Sequence, residues 1–129
     1  MNNKFEGFPN LYYVTMQESV DRHAFMQEQC QKYGITGIPY YTKRLQDMDP
    51  KPIYFGLHAD KIGFCLGVSI SHINMLKHWY DNTNEEYAVF SEDDHDLSIS
   101  EYWPFTWKEF VESLPANWEC IQLIRIVSP

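Results

Sequence analysis

Four carboxylates and one histidine are concentrated in the stretch FSEDDHDL, residues 90–97. It overlaps the end of the apolar run YAVF, which is typical of a buried strand. Carboxylate oxygens are the ligands that Mg²⁺ and Mn²⁺ prefer. Since alternate side chains of an extended segment share a face, Glu92 and Asp94 are expected to point to one side and Asp93 to the other. Asp94 and Asp96 have the same spacing, so the stretch is either a divalent-metal site at a strand end or a solvated acidic turn.

Two further stretches carry polar side chains suited to an anionic ligand. GVSISH, residues 67–72, offers Ser71 and His72 near the start of a predicted helix, where a phosphate could meet free backbone N–H groups. The alternative for His72 is a packed, hydrogen-bonded histidine without a ligand. Arg22, in the first turns of an earlier predicted helix, could bind a phosphate or a carboxylate on the surface.

The composition excludes several classes of protein. The chain has 129 residues, 44% of them apolar, so residues 1–129 are expected to form a single domain. Its formal net charge of −8 disfavours nucleic acid and anionic lipid as partners. The apolar runs are too short for a membrane span and the N-terminus lacks a signal-peptide layout, so a cytoplasmic location is expected. Three widely spaced cysteines without a CxxC pair predict buried free thiols rather than disulfides or a zinc site.

The negative charge is unevenly distributed. Between Lys77 and Lys108 there is no Lys or Arg, whereas acidic residues are frequent and include Glu85 as well as the FSEDDHDL stretch. These carboxylates are either a merely solvated surface or the place where a divalent cation lies, and Glu85 is on this surface but outside the FSEDDHDL stretch. Replacement of Glu85 by glutamine is therefore expected to affect neither folding nor metal binding.

The order of apolar patterns predicts an alternation of strands and helices. It comprises a strand at 11–16, a helix between Ser19 and Gly34, a strand from residue 37, a loop over 46–62 with a short strand near 53–55, a helix from Gly67, a strand at 87–90, a helix at 104–114 and a strand at 119–127. Such alternation is typical of the α/β class with a mainly parallel sheet.

The carboxyl ends of parallel strands meet at one edge of the sheet, where ligands of α/β proteins bind. The strands at 11–16 and 87–91 are expected to be adjacent or separated by one strand, which would bring Thr15 and Glu92 to the same edge. Asp94, with either Glu92 or Asp96, is expected to face the cleft at the first strand–helix turn.

Four motifs, taken in order over residues 11–124, resemble those of glycosyltransferase family 25, which includes lipooligosaccharide and collagen galactosyltransferases. A strand and a helix with an Asp-Arg pair are present in YYVTMQESVDRHAFMQEQCQKYGI. GVSISH is similar to the family's Gly-Cys-x-x-Ser-His helix start, and YAVFSEDD to its apolar strand ending in Glu-Asp-Asp. EFVESLPANWECIQL is similar to its helix, Leu-Pro, tryptophan and strand.

The resemblance implies a GT-A-type nucleotide-binding fold and metal-dependent transfer of a sugar from a UDP-sugar to a hydroxyl-bearing acceptor such as a saccharide. It implies that Glu92, Asp93 and Asp94 hold Mn²⁺ or Mg²⁺ on the donor diphosphate, with Asp94 as the first choice of ligand.

The resemblance also implies a set of donor-binding residues. Val14 and Thr15 match the strand end beside the nucleoside, and Arg22 matches the arginine of the Asp-Arg pair. Ser71 and His72 match the Ser-His pair. No residue of this chain is assigned as the catalytic base.

The chain departs from the family pattern in three respects. MQESV, between the first strand and the Asp-Arg pair, contains no positive charge where the family places basic residues, and Val68 replaces a cysteine. The chain is also shorter than family members, so it is expected to be a donor-binding half, with a second chain as a candidate for the remaining part. The alternatives are a non-catalytic nucleotide-sugar-binding or interaction module, and a small structural protein without a ligand.

Overall fold

The computed structural model describes residues 3–44, 47 and 59–124, and within the long second helix it describes side chains from residue 67 onward. The strands are β1 (Leu11–Thr15), β2 (Gly37–Tyr41) and β3 (Val89–Glu92), the helices are α1 (Val20–Tyr33), α2 (Ala59–Asn82) and α3 (Trp107–Glu112), and a 3-10 helix lies at Leu97–Tyr102. No helix in these ranges combines the length and apolarity needed to cross a membrane.

β1 lies in the centre of the sheet, between β2 and β3, and both neighbours run parallel to it. Thr15 is opposite Tyr41 of β2, and Val14 is opposite Glu92 of β3. The predicted α/β class with a parallel sheet is therefore confirmed. Thr15 and Glu92 also end neighbouring strands at the same edge, as predicted, and this edge is called the carboxyl edge below.

The buried core lies between β1 and one face of α1. Leu11 and Tyr13 of β1 and Met26 and Cys30 of α1 are each at most 2% exposed. Full burial of an apolar side chain of this size contributes about 1.5–3 kcal/mol to stability. Gly37 allows β2 to approach this core closely, because a Cβ at that position would lie 2.6 Å from the Cys30 sulfur.

Helix α1 begins and ends where the sequence predicts. Ser19 occupies the position before the helix, but its side chain makes no capping hydrogen bond, and its carbonyl accepts from the His23 N–H at 3.0 Å. Gly34 ends the helix in the left-handed conformation with φ of 68°, which costs glycine no steric clash. Its N–H donates to the Gln31 carbonyl at 3.3 Å.

Several predicted boundaries in the middle and late parts of the chain differ from the structure, and β3 begins at Val89, two residues after the predicted start. Helix α2 begins at Ala59, eight residues before the predicted start at Gly67, so residues 59–62 are helix rather than loop. The short strand predicted near 53–55 lies outside the described residues. Helix α3 is shorter than predicted, because a capping box between Thr106 and Glu109 fixes its start at Trp107.

The strand predicted at 119–127 does not form over residues 119–124, and residues 125–127 lie outside the described part. A strand is stable only when its backbone groups are paired with a neighbouring strand. In the described residues the sheet contains only β1, β2 and β3, so residues 119–124 have no strand partner. Leu123 and Ile124 are 37% and 41% exposed. Cys120, predicted to be buried, is exposed, whereas Cys30 is buried and burial raises the pKa of its thiol.

The segment before β1 fastens the 3-10 helix to the rest of the fold. The Lys4 ammonium donates hydrogen bonds to the carbonyls of Ser100, Glu101 and Trp103 at 3.1, 2.9 and 2.7 Å. The neighbouring Phe5 is 5% exposed and packs against the Trp103 ring at 5.6 Å. These contacts fix the chain that follows the FSEDDHDL stretch.

Candidate functional site

A buried carboxylate joins β1, β3 and α1 at the carboxyl edge. Asp93 directly follows β3 and is 6% exposed. One of its oxygens accepts from the Thr15 hydroxyl at 2.8 Å, and the other accepts from the Arg22 guanidinium at 3.3 Å. We expected Asp94 to face the first strand–helix turn, but Asp93 occupies this place, because Thr15 and Arg22 supply two donors to the carboxylate nearest them.

The other side of this segment carries three potential metal ligands. Glu92, Asp94 and His95 each offer an atom, and these atoms lie within 4.8 Å of one another. This group is called the carboxylate–histidine cluster below. Glu92 and Asp94 share a side and Asp93 contacts Thr15 and Arg22 instead, although the chain turns at residues 93–94 and is not the extended segment that was predicted.

Sequence reasoning did not name His95 as a ligand. The sequence could have identified it, because His95 lies between Asp94 and Asp96, and imidazole and carboxylate groups both ligate divalent cations. Asp94 is exposed and has no hydrogen bond or ion pair to any residue in the described ranges. The Glu92 carboxylate lies 3.5 Å from His72 Nε2.

The spacing of the cluster can be compared with that required by a six-coordinate cation. A cation about 2.1 Å from its ligands places them about 3–4.2 Å apart, somewhat closer than the upper distance in the cluster. The two carboxylates suit Mg²⁺ and Mn²⁺, whereas an imidazole ligand is more typical of Zn²⁺, Fe²⁺ and other transition metals. The cluster can supply only part of a coordination sphere, so water or ligand oxygens would complete it.

Asp96 has a different position and a different contact. Its carboxylate accepts from the Ser98 N–H at 2.9 Å and caps the 3-10 helix, and this hydrogen bonding from Ser98 lowers the pKa of Asp96. It is not a member of the carboxylate–histidine cluster. Asp96 was predicted as a metal ligand, but its carboxylate is used in the structure to cap the 3-10 helix.

Gln29 of α1 holds the backbone on both sides of Asp96, and sequence reasoning did not single it out. Its amide N–H donates to the His95 carbonyl at 2.9 Å, and its oxygen accepts from the Leu97 N–H at 2.6 Å. Gln29 is 8% exposed and lies on the buried face of α1. A polar residue on an apolar helix face was the signal that could have identified it.

Ser71 and His72 of α2 reach the same edge by different contacts. Ser71 is 3% exposed, and its hydroxyl bonds to the Gly67 carbonyl at 2.8 Å and to the Thr42 hydroxyl at 2.6 Å. His72 is half-buried and faces Glu92, so a group contacting Glu92 can also contact His72. Val14 is half-buried on β1, next to Glu92 in the strand register.

Two cations that sequence reasoning missed follow β2. The Thr42 N–H donates to the Thr15 carbonyl at 2.8 Å, so the chain continues beside β1 for one residue past the strand. Lys43 and Arg44 follow, and the Arg44 guanidinium lies 3.9 Å from Glu18 in the β1–α1 turn. The local sequence of that turn contains no positive charge, but the pairing of β2 with β1 brings two cations beside it. Arg22, Lys43 and Arg44 are called the basic rim below.

Glu85 lies at the opposite edge of the sheet and is not a solvated surface residue. Its carboxylate accepts from the Asn10 amide at 2.6 Å, the Trp79 indole at 2.8 Å and the Tyr12 hydroxyl at 3.1 Å. Burial raises the pKa of Glu85, but hydrogen bonds from Trp79, Asn10 and Tyr12 outweigh it, and the net pKa is lowered. The Tyr12 pKa is raised by burial and by its bond to Glu85.

The carboxyl edge therefore presents carboxylates and imidazole over β3 and cations over β1 and β2. This arrangement places acceptors of the type that ligate divalent cations beside donors of the type that bind anions. Comparison of the chain with models of protein families, with curated proteins and with solved structures finds no match.

Proposed function

We propose that the chain binds a UDP-sugar together with Mn²⁺ or Mg²⁺ at the carboxyl edge and serves as the donor-binding part of a GT-A-type glycosyltransferase. The proposal extends to transfer of the sugar to a hydroxyl-bearing acceptor. The sequence motifs resembling glycosyltransferase family 25 motivate it.

One observation carries the proposal: residues from four separate segments of the chain meet at one edge. Thr15 follows Val14 on β1 and bonds to Asp93, which also holds Arg22 of α1. His72 of α2 faces Glu92, the last residue of β3. Three of the four motifs that resemble the family thus contribute residues to one edge, which unrelated solvated residues would have no reason to do.

The charges of the edge suit a metal diphosphate. The carboxylate–histidine cluster would hold the cation, and the cation would neutralise charge that develops on the departing diphosphate. Thr15 and Val14 would lie against the donor, and Asp93 would hold Arg22 in place. The Arg22 side chain is 62% exposed and uses one nitrogen for Asp93, so further N–H donors remain for an anion.

Binding is tested by following thermal unfolding of the full chain with Mn²⁺, with UDP-sugars and with both. A ligand present at 100 times its dissociation constant adds about 2.7 kcal/mol of stability. We expect UDP-glucose or UDP-galactose to stabilise the chain more with Mn²⁺ than with EDTA, whereas uridine gives a much smaller effect. The absence of a Mn²⁺-dependent shift with every donor would overturn the proposal and favour a structural protein.

Transfer is tested separately by measuring UDP release from the same donors. Release that requires Mn²⁺ and stops with EDTA supports a transferase or donor hydrolase. Binding without release, across several saccharide acceptors, would assign the chain to the alternative class of non-catalytic nucleotide-sugar-binding modules.

A further inference from the structure

Most described cations away from the carboxyl edge have close partners within the fold. Lys4 donates to three carbonyls, Lys32 donates to Glu101 at 3.1 Å, and Lys77 donates to Asp81. Their charges are therefore engaged in structural contacts.

The basic rim differs from these lysines. Arg44 lies 3.9 Å from Glu18, which is too long for a hydrogen bond, and Lys43 is exposed without an ion pair to any described residue. Arg22 makes one hydrogen bond to Asp93, at 3.3 Å, although a guanidinium has five N–H donors. Hydrogen-bonding capacity is thus left over on exposed cations at this edge.

Thr15 links the chain segments that carry the rim and the cluster. It bonds through its carbonyl to Thr42, which precedes Lys43, and through its hydroxyl to Asp93, which follows Glu92 and also bonds Arg22. In a chain with a net charge of −8, this gives one edge a cationic part beside an anionic part. A ligand that carries phosphates and a bound cation matches both parts.

We propose that the basic rim is a phosphate-binding subsite, in which Lys43 and Arg44 bind the phosphate groups of a nucleoside diphosphate while its metal lies on the carboxylate–histidine cluster. This inference rests on the proposed function and deepens it, because it assigns an orientation to the ligand. Lys43 and Arg44 would also supply the positive charge that the sequence of the β1–α1 turn lacks.

The test compares two double variants of the full chain that remove the same amount of charge. Lys43→Gln/Arg44→Gln removes the exposed cations of the rim, and Lys77→Gln/Lys108→Gln removes two cations from helix surfaces elsewhere. Pyrophosphate, UDP and uridine are each titrated by calorimetry in the presence of Mg²⁺, and Mn²⁺ is titrated alone. Far-ultraviolet circular dichroism checks that both variants are folded.

We expect the rim variant to bind pyrophosphate and UDP at least about tenfold more weakly than the wild-type chain, because charge-assisted hydrogen bonds to phosphate are lost. The helix-surface variant should change both affinities less than about twofold. Uridine and Mn²⁺ alone should bind all three proteins alike. Equal pyrophosphate binding by the two variants, or none by the wild-type chain, would overturn the subsite, as would an equal loss of uridine binding.

The two proposals fail in different ways. If the wild-type chain and the rim variant bind Mn²⁺ and UDP-sugar equally well, the rim inference is wrong and the proposed function stands. If pyrophosphate binds through the rim but no UDP-sugar binds with Mn²⁺, the phosphate subsite stands and the proposed function is wrong.

Discussion

Glu85 and Glu92 lie on either side of one short stretch of chain, yet their surroundings are opposite in character. Glu85 precedes β3 and accepts hydrogen bonds from three different side chains. Glu92 ends β3 beside two other potential metal ligands and within 3.5 Å of one histidine. The Glu85 carboxylate accepts hydrogen bonds from donors of the protein, whereas the Glu92 carboxylate lies beside Asp94 and His95, which are themselves potential metal ligands. The difference indicates that the supply of donors, rather than local charge, decides which carboxylate is free to bind a cation.

The largest expected effect is on metal binding by Asp94. Asp94→Asn should weaken Mn²⁺ binding at least about tenfold, because a charged ligand becomes a neutral one, and should leave stability unchanged or slightly higher in metal-free buffer. Calorimetric titration with Mn²⁺ and urea unfolding measure the two properties. Glu86→Gln, which changes an exposed carboxylate before β3 and outside the cluster, is the matched control, and equal Mn²⁺ affinity of both variants would show a solvated turn.

The second largest expected effect is on stability and concerns Glu85, the carboxylate that is already hydrogen-bonded within the protein. Glu85→Gln should lower the free energy of unfolding by about 1–3 kcal/mol, since its amide cannot accept from all the donors that face the carboxylate. It should leave Mn²⁺ affinity unchanged. The structure thus replaces the sequence-based expectation that this variant would be silent. A urea unfolding curve identical to that of Glu86→Gln would contradict the structural role of Glu85.

The smallest effect is the pH dependence that Glu85 and Tyr12 impart to stability. Because the Glu85 pKa is lowered from 4.5 in the folded chain, its contribution is present above that pH and is lost as the pH falls through the folded value. The Tyr12 pKa is raised from 10.0, so its contribution is present below that pH and is lost at more alkaline pH. The stability difference between the wild-type chain and Glu85→Gln, measured by urea unfolding, should therefore decrease at both extremes. A difference that persists undiminished below pH 4 would contradict this linkage.

The sequence predicted those parts of the fold that depend on local patterns. Alternating strands and helices identified the parallel sheet, and from it the meeting of Thr15 and Glu92 at one edge. Gly34 identified the end of α1, because few other residues adopt its conformation easily. These features follow from neighbours in the chain or from a general rule of α/β topology.

The remaining features depend on contacts between distant residues. Asp93, rather than Asp94, meets Arg22 because the hydroxyl of Thr15 lies on that side of the strand end. Arg44 lies 3.9 Å from Glu18 of the first strand–helix turn only because β2 pairs with β1. The apolar segment at 119–124 has β propensity but no strand partner in the described residues. These contacts depend on hydrogen-bond donors and strand partners that are distant in the chain, so a short stretch of sequence does not reveal them.

The contact between Lys4 and the end of the 3-10 helix has a consequence for the order in which the molecule folds. Its hydrogen bonds join residues 96 to 99 positions apart in the chain. Closing a loop of that length costs conformational entropy before the hydrogen bonds can stabilise the chain. These bonds should therefore form late, after β1 and α1 have assembled. In native-state hydrogen exchange, the amides of the 3-10 helix should then open together with the segment around Lys4 and Phe5, as one cooperative unit. The 3-10 helix would thus acquire its final geometry only in the last step of folding.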